Sequence, residues 1–233
     1  MVKIEKFKII AHRGASGYVL ENSYSAFEKA IKLKADMIET DVRSTKDGHL
    51  VLMHDNKINR TTLGTGRISK MTIEQIQQVK MKNNEPIPVL DTVLEKYGKK
   101  IQFNLEIKSK NIEEKINELI IKYDLIERIM ISSFYYNILQ KFHQINPKLF
   151  LAFLIFLPYN VVSLKFPFRK LKNDGVRAIN PYYKFVSKSF VENAHNNGLK
   201  IYPWTINKKD QVLYFKNNIK VDGIITDYPD ILL

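Results

Sequence analysis

Short β-branched runs alternate with amphipathic stretches along the 233 residues, and this alternation constrains the fold more than any other feature of the sequence. Strand-like runs lie at Lys8–Ala11, Met37–Ser44, Leu50–His54, Ile101–Lys108, Ile129–Ser133, Leu149–Ile155, Arg177–Asn180, Lys200–Thr205 and Gly223–Thr226. Helical spacing separates most of them. Tyr24, Phe27, Ala30 and Ile31 share one face, and Ser25 with Glu28 has the spacing of a capping box. Ile112, Ile116, Leu119 and Ile120 mark a second helix, and "SKSFVENAHNNG" a third that stops at Gly198. "KKDQVLYFKNN" marks a fourth. Repeated strand–helix units imply a parallel sheet. About eight units in this length, with polar residues at the strand ends, favour a (β/α)8 TIM barrel over an open doubly wound sheet.

The interval Asn56–Pro88 breaks the alternation. It is polar, carries "TTLGTGRISKMTIEQIQQVK", and reads as a small inserted subdomain after the second strand region. No linker or internal repeat divides the rest, so residues 1–233 are expected to form a single domain. With 45% apolar and 26% charged residues the composition is that of a globular chain. The sequence lacks cysteine, which excludes disulfides, thiol catalysis and thiolate metal sites within it. The glycine fingerprints of nucleotide-binding folds are missing as well.

Five polar clusters fall at strand ends: His12-Arg13-Gly14, Glu39-x-Asp41, His54-Asp55, Glu106-x-Lys108 and Thr226-Asp227. In a barrel the carboxyl ends of all strands meet at one face, where clusters distant in sequence converge. Glu39 and Asp41, two apart on a strand, point the same way, and Glu106 shares a face with Asn104 and Lys108. Three carboxylates make an all-oxygen site suited to one hard divalent cation, Mg²⁺ or Ca²⁺. With such an ion they leave one net negative charge. Arg13 and Lys108 reverse it and favour an anionic ligand such as a phosphodiester. The plain alternative is that Glu39 and Glu106 pair with Arg43 and Lys108.

His12 and His54 end separate strands and fit a general acid and a general base on either side of a phosphorus atom. His49, His143 and His195 read as structural or surface residues. Glu21 is a candidate second-layer residue, with Asn104, although Glu21-Asn22-Ser23 also reads as a helix cap. Trp204, the single tryptophan, can wall the alcohol part of a substrate at a barrel mouth or simply fill the core. Asp227 reads as no more than a helix or turn cap.

"AHRGASG…EN", "IETDV", "VLMHD", "NLEIK", "ISSF", "AHNNGLKIYPWTIN" and "VDGIITDYP" occur in the order and spacing of the glycerophosphodiester phosphodiesterases, which the chain resembles almost end to end. The insert at 56–88 also resembles that family's small inserted subdomain, and the likeness is weakest over Leu149–Lys184. The resemblance implies a barrel hydrolase of lipid and glycerol metabolism that cleaves glycerophosphodiesters to glycerol 3-phosphate and an alcohol. It implies His12 and His54 as the acid/base pair, Glu39, Asp41 and Glu106 as metal ligands, and Arg13 and Lys108 on the phosphate. In the family scheme the glycerol 2-hydroxyl attacks phosphorus and water then opens the cyclic phosphate.

Two rival readings remain: a lysophospholipase D working at a membrane surface, and a non-catalytic binding barrel whose acids and bases are structural ion pairs. The first is suggested by the apolar then basic segment 150–172. It contains part of Leu149–Phe168, long enough to span a membrane but interrupted by Pro158, Asn160, Ser163, Lys165 and Pro167. We read it as a buried strand and an apolar loop, with peripheral membrane contact as the lesser alternative. The net charge of +13 is spread over the whole chain, and no nucleic-acid motif accompanies it, so no nucleic-acid partner is expected. The N-terminus has no secretory pattern, which gives a cytoplasmic expectation. Oligomeric state has no sequence signature here.

Overall fold

Aliphatic and β-branched residues flank the polar strand ends and draw the chain into a barrel. The computed structural model describes residues 6–156 and 167–233. Its strands are β1 (Lys8–Ala11), β2 (Met37–Ser44), β3 (Leu50–Leu52), β4 (Gln102–Ile107), β5 (Ile129–Ser133), β6 (Phe150–Ile155), β7 (Val176–Pro181), β8 (Lys200–Ile201) and β9 (Gly223–Thr226). The helices are α1 (Tyr24–Lys32), α2 (Ile73–Gln77), α3 (Leu90–Tyr97), α4 (Glu113–Lys122), α5 (Tyr136–Ile145), α6 (Phe168–Asn173), α7 (Lys188–Asn196) and α8 (Lys209–Tyr214). Parallel strands follow the order β8-β7-β6-β5-β4-β2-β1-β9. The two ends meet through the N–H groups of Asp222 and Ile225, which donate to the carbonyls of Ile201 (3.1 Å) and Pro203 (2.9 Å). The result is a nearly closed barrel of eight parallel strands. β3 lies antiparallel on β2 at the rim.

Alternation along each strand sorts side chains to two surfaces. Ile38 and Val42 of β2 and Phe103, Leu105 and Ile107 of β4 pack outward against the helices, in one core with Phe27 and Ala30 of α1. Ile10, Met37, Met130, Ala152, Ala178, Tyr202 and Ile225 pack together as a separate apolar cluster, from strands all round the barrel. They plug its interior below the polar strand ends. Phe103 is fully buried and meets Phe27 edge to face, with ring centroids 6.1 Å apart. Phe103→Ala is expected to cost ~3–5 kcal/mol, because the cavity term adds to the lost burial. A urea unfolding midpoint close to that of the unmodified protein would overturn this.

Several boundaries differ from the sequence expectation for local reasons. The run expected at Lys200–Thr205 is continuous strand only over Lys200–Ile201 and resumes as an isolated parallel bridge from Trp204 to Tyr182, since Pro203 between them has no N–H to donate. The expected capping box at Ser25 and Glu28 does not form. Ser23 is the cap, its Oγ accepting from the Ala26 N–H at 3.1 Å. The entry is set by the preceding residue, Asn22, which is buried with a left-handed backbone (φ 50°) and bonded to Thr40 and Asp41. Glu28 instead meets Lys96 and Tyr97 of α3.

Within residues 56–88, Ile58, Ile68, Ile73, Ile76, Met81 and Ile87 form an apolar cluster of their own with Val51 and Met53. Thr72 and Gln75 make a reciprocal capping box at the start of α2. The first part of the apolar stretch at 149–168 is barrel strand β6, whereas the loop expected after it, at 157–166, lies outside the described residues, as do residues 1–5. Among the described residues no helix is long and apolar enough to cross a membrane.

Candidate active site

Parallel register places the carboxylates. β2 and β4 pair with Glu39 beside Asn104 and Asp41 beside Glu106. Oxygens of Glu39, Asp41 and Glu106 lie within 4.8 Å of one another, all three residues buried. Such crowding costs free energy and shifts the protonation of the group. Burial lifts the Glu39 carboxyl well above its ordinary range, helped by the charges of Asp41 and Glu106. Burial also raises Glu106 to about 7, with Asp41 adding to it and Lys108 opposing. Asp41 goes the other way despite its burial, held ionised by Lys108 and Arg13. Its Oδ2 is 3.3 Å from Arg13 Nε and accepts from Asn22 Nδ2 at 2.9 Å, and its Oδ1 is 3.2 Å from Lys108 Nζ.

The pairing alternative inferred from sequence holds for Glu106, which contacts Lys108 directly, and fails for Glu39. Arg43 turns to the backbone carbonyls of Met53 and His54. Glu39 Oε2 accepts the Arg13 backbone N–H at 2.9 Å, and its Oε1 is buried with no hydrogen-bond partner among the described residues. An orphaned carboxylate oxygen beside two more carboxylates is the donor set of a hard cation, and the residues fit one.

Arg13 reaches the cluster through a tight turn. Its own backbone is left-handed (φ 54°), and Gly14 follows at φ 82°. A Cβ at Gly14 would come within 2.7 Å of the Ala26 backbone, so only glycine fits.

Each candidate histidine is backed by a carboxylate. His12 Nδ1 is 2.7 Å from Asp227 Oδ1, and His54 Nδ1 is 2.8 Å from Asp55 Oδ1. Burial pushes the Asp227 carboxyl up, but hydrogen bonds from His12, Asn207 and Ser16 outweigh it and bring it to about 2. The Arg60 hydrogen bond likewise holds Asp55 below the usual carboxylate range. Ionised carboxylates only accept, so Nδ1 carries the hydrogen in both rings and Nε2 is left for chemistry. Burial lowers the His54 pKa, with Arg13 and Lys108 adding to the effect against Asp41 and Asp55.

His12, Arg13, Glu39, His54, Glu106 and Lys108 line one cavity of about 170 Å³. Asn104 and Ser132 form part of its floor, and Phe134, Leu154, Trp204 and Ile225 make an apolar wall. Trp204 donates from Nε1 to the Asn180 carbonyl at 2.8 Å and packs edge-on against Phe134. Asp41 sits just behind this surface. Glu21 stays outside the carboxylate cluster, clamped between Arg13 and Arg60. His49, His143 and His195 do not line the cavity.

Asp227, Asp55, Asn22 and Arg60 are partners to which sequence reasoning assigned no site role, although Asp55 and Asp227 stood among its strand-end clusters. Asp227 is no simple turn cap. Its signal was its place at the end of β9, paired in register with β1, which ends beside His12.

A sequence profile of the glycerophosphoryl diester phosphodiesterase family matches residues 12–231. The chain is similar to a glycerophosphodiester phosphodiesterase of Caldanaerobacter subterraneus subsp. tengcongensis, 37% identical over 98% of this chain and 97% of the relative. It is similar to another of Bacillus altitudinis, 36% identical over 96% and 95%. Among solved structures it resembles an Oleispira antarctica phosphodiesterase in complex with the product sn-glycerol-3-phosphate. That likeness has a TM-score of 0.83 at 26% identity, covering 96% of this chain and 94% of the other. On this evidence the chain belongs to the glycerophosphoryl diester phosphodiesterase family and is a phosphodiester hydrolase.

Proposed function

We propose that this enzyme releases glycerol 3-phosphate from glycerophosphodiesters by a cation-dependent reaction in which His12 and His54 move the protons. The observation that carries the reading is the convergence, on one cavity, of two carboxylate-backed imidazoles with a carboxylate cluster and two cationic side chains. Glu39, Asp41 and Glu106 would hold a divalent cation, Mg²⁺ or Ca²⁺. When bound, such an ion supplies positive charge that polarises the phosphate and acidifies a hydroxyl beside it.

Arg13 and Lys108 offset the single negative charge of the diester and the charge that builds up on its oxygens. His54, held towards its neutral form, accepts at Nε2 the proton of the attacking glycerol 2-hydroxyl. His12 delivers a proton from Nε2 to the departing alcohol oxygen. Water then opens the cyclic phosphate as the two rings exchange roles. Trp204 and Phe134 shield the carbon skeleton of the substrate. Residues 56–88 act as an inserted subdomain of one barrel domain, and Glu21 and Asn104 support the site from behind.

A lysophospholipase D, acting on diesters whose glycerol carries an acyl chain, is a second reading, favoured by the aromatic surface that continues from Trp204 to Phe156, its ring stacked at 6.0 Å and half exposed. One assay separates the two. The protein is incubated with glycerophosphocholine, glycerophosphoethanolamine or lysophosphatidylcholine vesicles, with Mg²⁺, Ca²⁺ or a chelator. Glycerol 3-phosphate is expected from the soluble diesters with a cation and not with the chelator. Turnover of the vesicles alone favours the second reading, and silence under every cation overturns both. Glu39→Ala is expected to raise the cation concentration needed for half-maximal rate, with excess cation restoring part of the activity. A rate loss indifferent to cation concentration would remove Glu39 from the ligand set.

A further inference from the structure

Among the described residues, the insertion reaches the carboxylates that hold His54 and Arg13 through Arg60. Arg60 places two edges of its guanidinium on two carboxylates. Nε and Nη2 meet Asp55 at 2.7 and 3.1 Å, while Nη1 and Nη2 meet Glu21 at 2.8 and 2.7 Å. Both carboxylates are already engaged with residues that line the cavity. Asp55 Oδ1 holds His54 Nδ1, and Glu21 Oε1 accepts from Arg13 Nη1 at 3.0 Å. The chain His54–Asp55–Arg60–Glu21–Arg13 is therefore continuous, and its charge alternates from Asp55 to Arg13. An exposed ion pair on its own contributes little. A planar fork that grips both oxygens of two carboxylates at once does something different, because it sets the angle at which Asp55 Oδ1 meets His54 and Glu21 Oε1 meets Arg13.

From this geometry we infer that Arg60 is a positioning residue of the phosphodiesterase reaction, locking the His54 imidazole through Asp55 and the Arg13 guanidinium through Glu21. The inference rests on the function proposed above. Asp55 is the immediate neighbour of His54 and about one-third exposed, so its side chain needs an external tie to stay on Nδ1. Without Arg60, Asp55 and Glu21 would face each other as like charges, and both would turn away from the groups they hold. The insertion would then be required for turnover even though, among the described residues, none of 56–88 lines the cavity.

The test uses the full chain. Arg60→Ala is expected to lower kcat on glycerophosphocholine roughly ten- to hundredfold, the usual cost of removing a group that orients a reacting one. The cation concentration for half-maximal rate should move far less than kcat, since the carboxylate cluster meets Arg60 only indirectly, through Arg13. Guanidinium ion, added well below denaturing concentration, should restore much of the lost rate in Arg60→Ala and none in the unmodified enzyme. Should Arg60→Ala fail to fold, Arg60→Lys serves instead, with kcat lowered in a folded protein because an ammonium cannot fork to both carboxylates. A kcat within twofold of the unmodified enzyme in a folded variant overturns the inference. So does a loss that follows the unfolded fraction and is indifferent to guanidinium. Either result would leave the phosphodiesterase reading intact if the unmodified enzyme releases glycerol 3-phosphate. Silence of the unmodified enzyme under every cation overturns that reading, and the inference with it.

Discussion

Replacing His54 by alanine is expected to lower kcat about 10²–10⁴-fold, and His12→Ala should fall as far, because each ring is the only proton-moving group assigned to its side of the phosphorus. Neither substitution should disturb the carboxylate cluster, so the cation concentration for half-maximal rate should not move. Nor should the fold, since the vacated carboxylates keep other partners: Asp55 has Arg60, and Asp227 has Ser16 and Asn207. The double variant is expected to lose less than the product of the two single losses, because groups that act in one step fail together. Asp227→Asn is a milder change. An amide can donate to Nδ1 as well as accept from it, so part of the population takes the wrong tautomer and kcat falls less than in His12→Ala. Steady-state release of glycerol 3-phosphate measures all four. Activity that survives His12→Ala or His54→Ala at more than a tenth of the original rate would sink the assignment of that ring.

Everything placed by strand alternation was readable in the sequence. Glu39 and Asp41 point to one surface and Ile38 and Val42 to the other because a strand has a period of two, and the parallel pairing of β2 with β4 then sets Asp41 beside Glu106. Asp55 apart, which adjoins His54, the groups missed in the sequence are those fixed by contacts between distant segments. Asp227 lies 215 positions from His12, and only closure of the barrel brings them together. Arg60 looked like part of a polar insert, since nothing in "NRTTLGTG" shows that it folds back on Asp55 and Glu21. Asn22 was given no site role because Glu21-Asn22-Ser23 read as a helix cap, while its amide was needed to bind Asp41 and Thr40. Local patterns thus gave the face on which the chemistry sits, and tertiary contacts gave the partners that aim it.

A divalent cation is expected to stabilise the protein more at pH 8 than at pH 5. The reason is the proton held by the crowded carboxylates when no ion is present. Glu106 has a folded pKa of about 7 against an ordinary value of 4.5, and Glu39 is raised as well. A carboxyl raised in the folded state contributes most below its unfolded pKa and loses that contribution as pH rises through the folded one. For Glu106 the loss runs from about pH 4.5 to just above 7 and amounts to something on the order of 3 kcal/mol. A bound cation replaces the proton and removes the repulsion at the source. Its apparent affinity should therefore climb with pH, up to about tenfold per unit for each proton displaced. The measurement is the melting temperature with chelator and with saturating Mg²⁺ or Ca²⁺ at several pH values, each difference taken at one pH so that the titration of other groups cancels. A difference that stays constant between pH 5 and 8 would mean that no proton is exchanged for the ion. The three carboxylates would then be tied to Arg13 and Lys108 as a structural network, and the cation dependence of turnover would need a different site.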